Sequence, residues 1–207
     1  MLFGISYNSS QNLLITGVVV SLISCSASSL WNHTNDIKED TLQEKKTVLT
    51  QKFVSYKTTT IISMFLYGIS MIIISYMSIM LEKPIFIFFS IWLIITWLYS
   101  DNIFMGKIFG FRLKTHYIGE IITYGIAYPS YTLSIWLIYS DMNISGIAVA
   151  LVFMFLGLSG VMIKDLKDIS GDRKAGLRTF GVKFIPSKLL HTSCIFIVLY
   201  YILWLVK

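Results

Sequence analysis

Six long apolar runs separated by short charged loops set what this chain can fold into. They lie near Leu13–Trp31, Ile61–Leu81, Pro84–Ser100, Tyr117–Tyr139, Ile144–Ile163 and Leu189–Val206. A helix needs about 20 apolar residues to cross a bilayer, so each run is of spanning length or close to it. Several runs are rich in Ile, Phe and Tyr, which in water would favour strands. In lipid a lone strand leaves its backbone unpaired, so helix is expected. The expected fold is all-α: a multi-pass transmembrane helical bundle of about six spans, read as one domain over residues 1–207. Composition agrees. The chain is 55% hydrophobic and 14% charged, with mean hydropathy +0.70, more apolar surface than a soluble domain of this size can bury. The second and third runs are separated only by Glu82 and Lys83, a tight helical hairpin with Pro84 suited to the first turn of the next helix.

Net charge is +6 with pI near 9.2. In a soluble protein that would raise the question of nucleic acid. Here the basic residues sit between apolar runs, so the expected partner is membrane lipid and not nucleic acid. Fifteen of the seventeen Lys and Arg fall in three loops, Asn32–Thr60, Asp101–His116 and Lys164–Lys188, while Lys83 and Lys207 lie on the other face. Those loops are therefore expected in the cytoplasm and both termini opposite. Cys25 and Cys194 lie inside apolar runs, without zinc or disulfide spacing.

The same loops hold most of the carboxylates. One cluster is Asn35-Asp36-Ile37-Lys38-Glu39-Asp40, after the first run; the other runs from Lys164 to Arg173 and contains Asp165, Asp168 and Asp172. If the fifth helix continues past the membrane, these three stand at i, i+3 and i+7, on one face. Asp36 stands at i−3 or i−4 from Glu39 and Asp40. Like charges this close repel, and a divalent cation removes the repulsion. Oxygen-only donors suit Mg2+ shared between carboxylates and a substrate phosphate. The metal candidates are thus Asp36, Glu39, Asp40, Asp165, Asp168 and Asp172. Arg112, Lys114 and Arg173 are suited to neutralising the rest of a bound diphosphate.

The order Lys164-Asp165-x-x-Asp168-x-x-Gly171-Asp172-Arg173-x-x-Gly176-x-x-Thr179-x-x-Val182 is similar to the second aspartate motif of the UbiA superfamily of intramembrane prenyltransferases. Asn35-Asp36 resembles the start of that family's first motif, commonly N-D-x-x-D-x-x-x-D. Glu39 then stands at the second acidic position and Gln43 at the third; alternatively a short deletion makes Asp40 the counterpart of the last Asp. Tyr99-Ser100 and Arg112-Leu113-Lys114 resemble the family's Y-S…R-x-K loop, with a longer stretch between them here. The resemblance implies Mg2+-dependent transfer of a prenyl group from an isoprenoid diphosphate to an aromatic or lipid-soluble acceptor. Asp36 and Asp168 would be catalytic, and Asn35, Arg112, Lys114 and Arg173 would bind substrate. Trp92, Trp97, Tyr124, Tyr128 and Trp136 are candidates for lining the hydrocarbon tunnel.

The family usually has nine membrane helices, and this chain resembles helices two to seven. The alternative reading is therefore a catalytically incomplete fragment or partner subunit. A phospholipid-type alcohol phosphotransferase is disfavoured because its D-G-x-x-A-R pattern is absent from the sequence. A transporter is disfavoured because the runs look almost free of ionisable groups at mid-membrane. The split of basic residues makes a first prediction. Cysteines placed in the three basic loops, Asp172→Cys among them, should react with a membrane-impermeant thiol reagent only after the cytoplasmic face is exposed. Labelling of Asp172→Cys from outside intact cells would reverse the orientation.

Overall fold

The computed structural model describes residues 11–206 except residues 43 and 111, so Gln43 and Lys207 lie outside the described residues. Nine helices are described: α1 (Gln11–Asn35), α2 (Ile37–Leu42), α3 (Tyr56–Met80), α4 (Ile85–Ser100), α5 (Met105–Phe109), α6 (Tyr117–Tyr139), α7 (Ile144–Lys174), α8 (Phe180–Lys183) and α9 (Pro186–Val206). A 3-10 turn occupies Leu113–Thr115. Among the described residues there is no strand; the one extended pairing is an isolated parallel bridge between His116 and Arg178.

Helices α1, α3, α6, α7 and α9 are long and apolar enough to cross a membrane. The third apolar run forms α4, whose 16 residues rise about 24 Å at 1.5 Å each, short of the ~30 Å hydrocarbon layer. The hairpin before it turns through Glu82, in the left-handed region at φ 55°. Pro84 stands at the N-cap of α4, one residue before the expected first turn. The fifth run does continue beyond its apolar part: α7 extends to Lys174 and carries the second acidic segment on its last turns.

Polar side chains within the spans answer the bilayer's lack of water locally. Ser24 Oγ donates to Val20 O at 2.7 Å, Ser70 Oγ to Leu66 O at 2.9 Å, and Thr123 Oγ1 to Gly119 O at 2.8 Å. Each hydroxyl bonds back to its own helix, so none needs solvent. Helix starts are capped by Ser55, His116 and Asn143, whose side chains accept from Thr58 N, Ile118 N and Gly146 N, satisfying N–H groups that the helix leaves free.

One core joins α1, α3, α4 and α6 through Val20, Trp31, Tyr67, Phe89, Trp92 and Ile135. A second joins α7, α8 and α9 through Val161, Met162, Phe180 and Leu189, with Tyr117 and Tyr124 of α6 packed against it. Helix α6 packs on both α4 and α7, α9 packs on α7, and α1 and α7 are not a closely packed pair.

All three basic loops meet at one end of the bundle. Arg178 N donates to Thr115 O at 2.8 Å and Tyr117 N to Arg178 O at 2.9 Å, zipping the segment after α7 to the segment before α6. Asn102 N donates to Asn35 Oδ1 at 2.7 Å and Ser100 Oγ to Asn32 Oδ1 at 2.6 Å, tying the end of α4 to the end of α1. At the opposite end Lys83 reaches Asp141 at 3.1 Å and Ser140 O at 2.9 Å.

Gly119 keeps the charged end together. A Cβ there would stand 2.0 Å from Leu113 O, a backbone atom that cannot yield without moving the loop. Gly119→Ala should destabilise solubilised protein by about 1–3 kcal/mol, as overpacking does. Gly125→Ala, further along α6 and with nothing within 4 Å, should be neutral or slightly stabilising. Equal melting temperatures for the two variants would count against this packing.

Candidate functional site

The first acidic segment sits where α1 passes through Asp36 into α2. Asp40 N donates to Asp36 O at 2.8 Å, so the chain keeps nearly helical spacing and turns Asp36, Glu39 and Asp40 toward the same region. Asn35 is 3% exposed, with Nδ2 donating to Trp31 O at 2.8 Å and Oδ1 accepting from Asn102 N. Its side chain thus fastens the helix end to the α4–α5 connection.

Arg112 and Lys114 come from the zipped loop and face this segment. Lys114 Nζ donates to Asp36 Oδ1, and Arg112 Nη2 donates to Glu39 Oε1. Arg112 Nη1 lies 3.6 Å from Asp36 Oδ1 and donates to Asn35 O at 3.4 Å. Burial pushes the Glu39 carboxyl up, but Arg112 first and Lys114 second outweigh it and hold the group below its ordinary value. Asp40 goes the other way. Burial raises it, and Lys45 offsets that only in part while Asp36 adds like-charge repulsion.

The second segment does not present its three aspartates equally. Asp172 accepts from Thr179 Oγ1 at 2.7 Å. Asp168 is partly exposed, and Lys45 Nζ stands 3.8 Å from its Oδ1 and 3.8 Å from Asp40 Oδ1. One ammonium therefore bridges the two acidic segments. Asp165 is turned into the bundle, 1% exposed, and accepts from Phe180 N at 3.0 Å. The i, i+3, i+7 spacing puts the three on one side of α7, but Asp165 lies deeper, so one shared ligand face for all three is not what the fold presents. Arg173 is exposed at the end of α7, without an ion pair among the described residues.

Glu120 was missed in the sequence. It is 1% exposed in the first turn of α6, hydrogen-bonded to Asp165, with Phe180 N 3.4 Å from its Oε2. This qualifies the impression that the runs lack ionisable groups. The signal was present: a lone carboxylate inside an apolar run is costly unless it has a partner. Lys45 also escaped, because only tertiary contact gives it a role; Thr179 stood in the motif, and the structure adds its partner Asp172.

A cavity of about 600 Å³ opens among α1, α4, α6 and α7, lined by Cys25, Trp92, Thr123, Tyr124, Tyr128 and Lys164 among others. Tyr99 and Tyr131 line it too. Trp97 instead stacks on Trp31 at 4.1 Å, and Trp136 is fully buried with Nε1 donating to Asp141 O near the opposite end. Of the five aromatics proposed for the tunnel, Trp92, Tyr124 and Tyr128 line the cavity, and Trp97 and Trp136 do not.

An apolar, hydroxyl-bearing cavity thus lies toward the end of the bundle that carries the paired acidic segments and their cations. The chain matches the model of the UbiA prenyltransferase family over residues 1–206 and belongs to that family. It is an integral membrane protein with an all-α bundle. It is similar to an uncharacterized protein of Archaeoglobus fulgidus, 36% identical over 202 residues, covering 93% of this chain and 64% of that relative. The chain thus spans somewhat less than two thirds of that relative's length. No solved structure matches it.

The donor set fits a hard divalent cation. Asp36, Glu39, Asp40 and Asp168 supply only oxygen, and Glu39 Oε2 is buried without a hydrogen-bond partner, which leaves a lone pair free for a cation. Among the described residues no three His, Cys, Asp or Glu already converge on one point; the cations Lys45, Arg112 and Lys114 stand between them instead.

The Glu120–Asp165 pair is testable on its own. Glu120→Ala leaves Asp165 without its carboxyl partner in a buried site and should cost about 1–3 kcal/mol. Glu120→Gln can still donate to Asp165 and accept from Phe180 N, so it should lose much less. Thermal unfolding in detergent checks the order, and Gln as damaging as Ala would argue against the paired hydrogen bonds.

Proposed function

We propose that the chain carries out Mg2+-dependent transfer of a prenyl group from an isoprenoid diphosphate to an aromatic or lipid-soluble acceptor, with the charged end facing the cytoplasm. The observation that carries the reading is the adjacency of the apolar cavity to a rim of acidic segments and cations at one end of the bundle. Membership of the family supports it, and the fifteen basic residues in the three loops that meet there support the orientation.

In this reading Arg112 and Lys114 hold Asp36 and Glu39 ready before substrate arrives and then donate to the diphosphate oxygens. Asn35 keeps the end of α1 fixed, Asp172 is steadied by Thr179, and Arg173 at the open edge attracts the anion. Asp36, Glu39, Asp40, Asp168 and Asp172 are the proposed metal ligands, with Asp165 anchoring the segment from below. Bound Mg2+ would supply the positive charge that stabilises the departing diphosphate. The bond between the allylic carbon and the diphosphate oxygen breaks, its electron pair leaving with the diphosphate. The acceptor supplies the pair for the new bond and releases a proton to water at the charged end. Tyr124, Tyr128 and Trp92 line the space in which the positive carbon would form, and the cavity would keep water from it.

A second reading follows from length. The chain covers 64% of its relative, and α1 and α7 are not packed together beside the cavity. In that reading it is an incomplete fragment or a partner subunit that needs further helices.

Asp168→Asn separates these readings. It keeps size and removes charge at a rim residue, so expression and membrane insertion should be nearly unchanged. Prenyl transfer in membranes with Mg2+ should fall roughly 100-fold or more, the scale of lost charge stabilisation. Lys167→Gln, about 100° around the helix, should have little effect. Similar losses in the two variants of an active preparation would overturn the metal-site assignment. Transfer seen only after the further helices of a longer relative are fused on would favour the fragment reading.

A further inference from the structure

The cations that stand among the acidic segments are not held alike. The side chains of Arg112 and Lys114 are 7% and 11% exposed and pair closely with Glu39 and Asp36. The Lys45 side chain is 45% exposed and stands 3.8 Å from Asp40 Oδ1 and 3.8 Å from Asp168 Oδ1. A half-exposed pair at that distance contributes little, because water and salt screen it. Of the three ammonium and guanidinium groups, that of Lys45 is therefore the one that leaves most easily. Among the described residues it is also the one ion-paired to both acidic segments.

The Lys45 backbone, by contrast, is fixed on both sides. Glu44 takes the left-handed conformation at φ 56°. Glu44 N donates to Thr41 O at 3.1 Å and Lys45 N to Asp40 O at 2.9 Å, the paired bonds that close a helix C-terminus. This turn folds Lys45 back over the end of α2, toward Asp40. Beyond it, Thr50 Oγ1 donates to Lys45 O at 2.7 Å, and Thr47 N and Thr50 N each donate to the other residue's hydroxyl. The end of α2 thus delivers a flexible ammonium from a hydrogen-bonded backbone to a place between two carboxylates. Asp40 and Asp168 are both among the proposed ligands of the divalent cation. An ammonium and a divalent cation cannot both stand between them, because like charges a few ångströms apart repel.

We propose that Lys45 is a tethered competitor of the divalent cation: its ammonium balances Asp40 and Asp168 in the metal-free protein and is displaced when the cation binds between them. This rests on the reading of Asp40 and Asp168 as cation ligands. The consequence is a weakened affinity for the cation alone. A cation that arrives with a diphosphate brings anionic oxygens to which the displaced ammonium can turn. Metal and diphosphate are thereby favoured together, and the two carboxylates keep a counter-charge when both have left.

The test measures binding of Mn2+, which shares the preference for oxygen donors, to the metal-stripped full chain in detergent by electron paramagnetic resonance. Lys45→Met should bind Mn2+ roughly three- to tenfold more tightly than wild type, the scale of one partly screened charge removed. A purely structural lysine predicts the opposite sign, because a loosened loop weakens the cation site. Lys45→Arg keeps the charge and should stay within about twofold of wild type. Lys46→Met removes the neighbouring charge, which makes no ion pair among the described residues, and should also stay within about twofold. In an Asp168→Asn background the gain from Lys45→Met should shrink, since the two residues share one interaction. If Lys45→Met does not fold, Lys45→Gln serves in its place with the same expected sign. Equal or weaker Mn2+ binding by Lys45→Met overturns the proposal, as does a gain that Lys46→Met reproduces. Absence of Mn2+ binding in both wild type and Lys45→Met also overturns it. Failure of the prenyl-transfer reading looks different: geranylgeranyl diphosphate binds to none of the proteins with Mn2+ present, while Lys45→Met still binds Mn2+ more tightly than wild type.

Discussion

Carboxylates gathered at one end of an apolar bundle cannot stand there uncompensated, and the way their charge is balanced organises the rest of the molecule. Asp36 and Glu39 are answered by Lys114 and Arg112, Asp40 and Asp168 by Lys45. Arg112 and Lys114 come from the loop that the backbone zip between Thr115, Tyr117 and Arg178 holds in place, and Lys45 from the loop after α2. The packing of Gly119 against Leu113 and of Gly181 against Asp165 lets those loops sit directly on α6 and α7. Without that close approach the cations would be held on long, free loops, and exposed ion pairs of that kind contribute little.

The inner edge of the same end is built on a different principle. Asp165 and Glu120 are removed from water and satisfied by each other and by a backbone N–H. Buried polar groups of this kind fix geometry because alternatives leave one of them unpaired. The two layers divide the labour: an outer one of partly exposed carboxylates that exchangeable cations can satisfy, and an inner one that holds the end of α7 against the start of α6.

Much of this was legible in the sequence. The period and length of the apolar runs gave the helices, with the span Tyr117–Tyr139 matching α6 at both ends. The acidic spacing suggested that α7 runs past its apolar part, and it reaches Lys174. The sequence could not say which aspartate of a shared face turns inward, because spacing specifies the side of a helix and not the partner that a side chain meets. Asp165 turns inward because Phe180 N and Glu120 wait there, from segments 15 and 45 residues distant in sequence. Lys45 looked like one basic residue among five in its loop, and only tertiary contact marks it as the bridge. Trp97 and Trp136 had the composition of tunnel aromatics; Trp31 and Asp141 captured them instead.

The cavity and the charged rim impose different requirements on anything bound across them. The rim holds alternating charges a few ångströms apart and suits a small, highly charged group that can exchange with cations. The cavity is lined mostly by rings, hydroxyls and apolar side chains and suits a large, mostly apolar body. A single ligand cannot satisfy both environments unless it is strongly amphiphilic. Two ligands can, when one places its charged head at the rim and the other its body in the cavity. Their uncharged parts then share the same apolar volume, where water is scarce and a reactive carbon is shielded from hydrolysis. In the proposed reading two substrates are brought together and none is transported, since a transported ligand would have to leave by the opposite end. There Lys83, Asp141 and Trp136 are tied to one another and to the backbone.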